Sequence, residues 1–135
     1  MVFKVLLFAH RKPGLSPTEF RDYLESTHIP LLRRLLSATF PTSHARRYIH
    51  RGDAVDSDGV YPATVLLGSQ ADFQCDVISE LTFENGEAFQ AFFAEYQSDK
   101  VAAELKEDEA RFLDAEKLRA VVIGEVRETL REGGN

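Results

Sequence analysis

The chain opens on an apolar run, VFKVLLFA at residues 2–9, interrupted only by Lys4. Its length, with Lys12, Pro13 and Gly14 behind it, predicts a buried strand followed by a turn. Ser16-Pro17-Thr18-Glu19 then starts a helix. Ser16 supplies the N-cap, Pro17 suits the first turn, and Glu19 completes a capping box with Ser16. At helical spacing Phe20, Tyr23, Leu24, Thr27, Leu31 and Leu35 fall on one stripe. Pro30 has no N–H for the carbonyl of Ser26, so the helix is expected to kink or break there. His28 lies at the edge of the apolar stripe, where a pocket can reach it.

Alternation returns at residues 43–51, a predicted strand. His44, Arg46, Tyr48 and His50 share one of its faces, and Ala45, Arg47, Ile49 and Arg51 the other. A third strand is predicted over 74–83, with Asp76, Ile78, Glu80 and Thr82 opposite Cys75, Val77, Ser79, Leu81 and Phe83. Asn85-Gly86 turns the chain into a helix bearing Phe89, Phe92, Phe93 and Tyr96, and a further helix covers 98–111. Residues 117–126, KLRAVVIGEV, read as the last strand, and the polar tail 127–135 as frayed.

The order is β-α-β-β-α-β. It predicts an α+β, ferredoxin-like sandwich: one domain over 1–135, with an antiparallel four-stranded sheet and helices on one face. Ser79, Leu81, Val121 and Ile123 give the sheet apolar faces that need cover, and a second copy of the chain is the expected cover. The connection 52–73 is longer than the pattern requires, and its apolar middle, VYPATVLLG, suits either a lid over a pocket or cover for a sheet edge.

Composition narrows the partners. Sixteen Lys and Arg against 22 Asp and Glu leave a net charge of −6, which argues against general binding to nucleic acid or to an anionic membrane. One cysteine, Cys75, forms no internal disulfide, and no signal peptide opens the chain, so a cytoplasmic setting is expected. The first apolar run is too short to span a bilayer. An aspartate cluster, Asp53, Asp56 and Asp58, has the wrong spacing for a calcium loop, and no histidine–carboxylate pair has compact metal-ligand spacing.

Histidine is the residue that exchanges protons near neutral pH. His28 is the first candidate for acid–base work, with His44 and His50 as further catalytic candidates. The last two stand about 20 Å apart at strand rise, so at most one of them reaches a given substrate atom. Arg46 is a candidate carboxylate fork, and Tyr48 a candidate donor to a phenolate. Asp76 and Glu80 are candidates for orienting a histidine, and Tyr96 for touching substrate from the pocket wall.

Three stretches, LLFAHRKPGLSPTEFRDYLESTHIPLLRRL, CDVISELTF and DEARFLDAEKLRAVVIGE, resemble the EthD-type branch of the dimeric α+β barrel superfamily. The motif of Ser16-Pro17, Phe20, Tyr23, His28 and Pro30-Leu31 carries the likeness, which spans nearly the whole chain outside 52–73. The strand HARRYIHR and the long connection look most like the branch found in fungal polyketide pathways. The resemblance implies a homodimer and a small enzyme working on an aromatic polyketide without metal or cofactor. Decarboxylation of a hydroxylated anthraquinone-type carboxylic acid is the leading expectation. A cofactor-free anthrone oxygenase, a cyclase or dehydratase, and a non-catalytic polyketide-binding protein are the alternatives. The His28 position carries over from the family motif, and those of His44 and His50 from the strand.

Overall fold

A computed structural model describes residues 1–133. The strands are β1 (Phe3–Ala9), β2 (Ser43–Tyr48), β3 (Val77–Phe83) and β4 (Arg119–Ile123). They form one antiparallel sheet in the order β2-β3-β1-β4. The helices are α1 (Pro17–Tyr23), α2 (Ile29–Leu35), α3 (Gly86–Tyr96) and α4 (Asp99–Glu109). The α+β class, the strand count and the element order are those expected from the sequence.

Register decides which side chains meet the helices. Val77, Ser79, Leu81 and Phe83 of β3 stand opposite Ala9, Leu7, Val5 and Phe3 of β1 on one face. His44, Arg46 and Tyr48 of β2 join them there. Two apolar clusters fill the space above this face. Phe20, Leu24, Ile29, Phe112 and Leu113 pack with Val77, while Leu36, Phe92, Val101 and Leu105 pack with Leu81 and Phe83. The other face carries Lys4, Leu6 and Phe8, Ile78 and Glu80, and Val121 and Ile123. Ser79 and Leu81 therefore lie beneath the helices and Val121 and Ile123 on the open side, so of these four apolar-face residues the helices cover the first two.

Three strands are shorter than expected by two residues or more. β2 ends at Tyr48 rather than at residue 51, because Arg51 bridges to Ala63 of the long connection instead of to β3. β4 stops at Ile123, paired with Lys4, because β1 itself begins at Phe3. β3 starts at Val77 rather than at residue 74, and Gln70–Phe73 before it wind into a short 3-10 turn. Of the tail 127–135, Gly134 and Asn135 lie outside the described residues.

The helix around Pro30 neither breaks nor simply kinks. Between α1 and α2, residues Leu24–His28 form a π turn, and the N–H of Ile29 reaches the carbonyl of Leu24, five residues back. This wider winding is one way to accommodate a residue whose N–H is missing, and such single turns recur at functional sites. The extra residue moves the buried face on by one position: His28, Ile29 and Leu36 are buried, while Thr27 is exposed.

The connection 52–73 is tied to the end of the sheet. Arg51 donates to the carbonyls of Tyr61, Phe73 and Cys75 at 3.0, 2.7 and 2.8 Å, and Gln70 clamps Ala63 through both N–H and C=O at 2.8 Å. No residue of this segment lines the large cavity described below, so it forms no lid there.

Candidate active site

A cavity of about 320 Å³ lies between the sheet and the helices. Its wall is mostly aliphatic and aromatic, with Leu24, Leu81, Phe89, Phe92 and Phe112 among the lining side chains. Its polar lining residues are His28, His44, Ser79, Tyr96, Glu109 and Arg119. A concave apolar site with a few convergent polar groups is the usual form of a small-molecule site. Arg119, Ala120 and Phe93 are exposed, which puts the mouth between α3, the end of α4 and β4.

His28 is 6% exposed and Asp108 is 4% exposed. The Nδ1 of His28 lies 2.8 Å from Oδ2 of Asp108, and Tyr23 donates its hydroxyl to Oδ1 of the same carboxylate at 2.6 Å. Burial raises the Asp108 pKa, but hydrogen bonds from Tyr23 and His28 outweigh it, and the carboxyl sits below its ordinary value. An ionised carboxylate only accepts, so Nδ1 of His28 carries the proton and Nε2 keeps its lone pair. Burial also pushes the His28 imidazole below its ordinary value, against the pull of Asp108. The ring rests on Phe112 with centroids 4.8 Å apart, and its Nε2 has no hydrogen-bond partner among the described residues. The result is a neutral, oriented base facing an apolar cavity.

His44 reaches the same cavity from β2. Burial, then the charge of Arg46, lowers its pKa to about 4, and its Nε2 is buried without a partner among the described residues. His28 and His44 are thus brought together, and His50 is not. Beyond the end of β2, His50 is exposed and shares a 2.7 Å hydrogen bond with Thr64.

Arg46 and Tyr48 do not line this cavity. Arg46 forks onto Glu25 at 2.6 and 2.8 Å, and Tyr48 donates to the same carboxylate at 2.5 Å. The Arg46 bond, against burial and with help from Tyr48, holds Glu25 at about 2. Glu25 lies within the π turn, so these two side chains tether the segment that presents His28. They act on the histidine's support and leave no free fork for a substrate carboxylate.

Asp76 and Glu80 do not orient a histidine. Asp76, just before β3, accepts from the backbone N–H and the guanidinium of Arg11 and pairs with Arg51 at 3.0 Å. Glu80 lies on the open face of the sheet, with Lys4 at 2.8 Å and Arg47 at 3.6 Å. The orienting carboxylate is Asp108, which sequence reasoning passed over. Its signal was available: Val101, Leu105 and Phe112 mark the buried stripe of α4 and the residues after it, and Asp108 sits at i+7 from Val101, an acid on a core face. Tyr96 lines the cavity as expected of a wall residue and donates to Glu109 at 3.4 Å.

Among the described residues no three His, Cys, Asp or Glu side chains converge as a metal ion would need. Among the described residues no helix is long and apolar enough to cross a membrane.

A family model described as the EthD domain matches residues 12–116. No curated protein matches the chain. Among solved structures, a protein from Arabidopsis thaliana is 17% identical and covers 95% of this chain and 99% of its own, with a TM-score of 0.57. An ethyl tert-butyl ether D family protein from Bacillus halodurans is 16% identical, with coverage of 93% and 100% and a TM-score of 0.54. An EthD-like protein from Ralstonia eutropha is 17% identical, with coverage of 90% and 87% and a TM-score of 0.51. At these identities the likeness establishes the fold.

Proposed function

The chain belongs to the EthD family, and on that premise we propose that it is a cofactor-independent enzyme of aromatic polyketide tailoring, a lyase that decarboxylates a hydroxylated aromatic acid of the anthraquinone type. The observation that carries this reading is the His28–Asp108 pair, held at 2.8 Å in an aromatic-walled cavity of about 320 Å³. Loss of CO2 from an electron-rich phenolic acid needs three things: a group that takes and returns the phenol proton, a dry surrounding, and flat walls for the ring. A neutral imidazole at Nε2 meets the first. The aliphatic and aromatic lining meets the others, and a carboxylate placed there loses hydration that it no longer needs once it leaves as CO2. The likeness of HARRYIHR and its long connection to the fungal polyketide branch supports the substrate class.

The reading also expects a homodimer. Leu6, Phe8, Ile78, Val121 and Ile123 share the open face of the sheet, and Val121 is 53% exposed. Burying such a surface against its symmetry mate is the usual way an open sheet is covered. Sedimentation of the wild type and of Val121→Asp tests it: a dimer that the charge converts to monomer is expected, and a monomeric wild type overturns it.

The function is tested by incubating the protein with hydroxylated anthraquinone carboxylic acids, anthrones and hydroxynaphthoic acids, with and without oxygen, and following products by mass. Loss of CO2 independent of oxygen, abolished in His28→Asn, is the expected result. An oxygen-dependent gain of mass moves the assignment to the anthrone oxygenase, and full turnover in His28→Asn overturns the role of His28.

A further inference from the structure

The cavity is lined by an acidic group that the base chemistry above does not use. Glu109 closes α4, one residue after Asp108, and lines the same cavity as His28. Glu109 therefore shares with His28 a cavity of about 320 Å³, a space of the size that takes a small ring system. Nothing neutralises Glu109. Among the described residues no Lys, Arg or His forms an ion pair with it, whereas Asp108 has His28 and Arg111, and Asp76 has two arginines. Its hydrogen-bond partner is the Tyr96 hydroxyl at 3.4 Å, and the charge that acts on it is the carboxylate of Asp108. It also sits in the last turn of a helix, where the helix dipole disfavours a negative charge. Burial above all, with the charge of Asp108 beside it, pushes its carboxyl above the ordinary value despite the bond from Tyr96. A stable fold would prefer a base at this place. A reaction that delivers a proton would prefer an acid.

We propose that Glu109 is the general acid of this cavity, handing its proton to an electron-rich ring carbon of a phenolic substrate while His28 manages the phenol proton. The inference rests on the acid–base reading of the cavity given above and extends it. As Nε2 of His28 draws the proton from the phenol hydroxyl, electron density rises at the ring carbon bearing the carboxylate. The proton of Glu109 forms the new C–H bond there. The bond to the carboxylate carbon then breaks, its electron pair restores the aromatic ring, and CO2 leaves. His28 returns the proton to the phenolate oxygen. Glu109, half-buried beside the mouth, regains its proton from water, so one proton is consumed for each CO2 released. Tyr96, bonded to Glu109, fixes the direction of the carboxyl and acts through it.

The same step without a leaving carboxylate is exchange of a ring hydrogen. A dihydroxynaphthalene probe in D2O therefore tests the acid apart from decarboxylation. The wild type is expected to speed ring deuteration, read by mass. Glu109→Gln, which keeps the shape, should lower the rate by about 10²-fold or more with probe binding unchanged, and Glu109→Asp should recover part of it. The matching assay is CO2 release from a hydroxynaphthoic acid. Wild-type exchange rates in Glu109→Gln overturn the inference, and if His28→Asn is dead in the same assay the reading of the cavity survives it. A wild type that binds the probe and catalyses neither reaction overturns both.

Discussion

The fold buries two aspartates to nearly the same degree and treats them in opposite ways. Asp76 is 5% exposed and is gripped by Arg11 and Arg51. Asp108 is 4% exposed and is gripped by His28 and Tyr23. Arginine keeps its charge at every physiological pH, so the first cluster holds one charge state and anchors the end of the sheet and the long connection. Histidine exchanges protons near neutral pH, while burial and Asp108 hold the Tyr23 hydroxyl protonated, so the second cluster can change state at His28, which lines the cavity. What separates a fastener from a working part here is the titration range of the partners, since depth of burial is the same.

The contrast can be broken from either side. Asp76→Asn leaves two arginines without their carboxylate, and a loss of about 3–5 kcal/mol in chemical denaturation is expected, with turnover per folded molecule unchanged. Asp108→Asn should do the reverse. Turnover should fall by about 10²-fold as the His28 tautomer is no longer enforced, and stability by the smaller amount of about 1–3 kcal/mol that a weakened buried hydrogen-bond set costs. If the two variants behave alike, the distinction fails.

A pH titration sharpens it. His44 has an ordinary value of 6.5 and a folded value of about 4, so in this window the unfolded chain binds the proton and the folded one does not. Its contribution is complete above pH 6.5 and is lost as pH falls from 6.5 towards 4. Denaturation midpoints should drop across that range, and His44→Phe should flatten the drop. The smallest change belongs to the outer tether. Glu25 has a half-exposed side chain, so Glu25→Gln should cost no more than about 1 kcal/mol, while raising KM or lowering kcat if the π turn loses its set. Unchanged kinetics would show that Asp108 alone positions His28.

Element order was legible because local periodicity carries it: the capping box at Ser16, the Asn85 turn and the alternation of β3 each act over a few residues. His28 and His44 were legible as chemistry because their residue type is informative. Three features were not. The face that Val121 and Ile123 join depends on which residue of β1 stands opposite, and one strand alone does not state that. The end of β2 depends on Arg51 finding Ala63. The partnership of His28 with Asp108 spans 80 residues of sequence, so only an acid set in the apolar stripe of α4 betrayed it. The carboxylate that orients the histidine stands on α4 and not on the strand that carries Glu80.

The turn at Leu24–His28 amounts to a reading-frame shift written in space. Every side chain after it is presented about 100° away from where unbroken winding would put it. Deleting one residue there would leave a respectable helix with Pro30 still inside it, and would swing the imidazole off its carboxylate. In this architecture the gain or loss of a proton-handling site is therefore within reach of a single codon inserted or removed, with no exchange of residue type at the site itself.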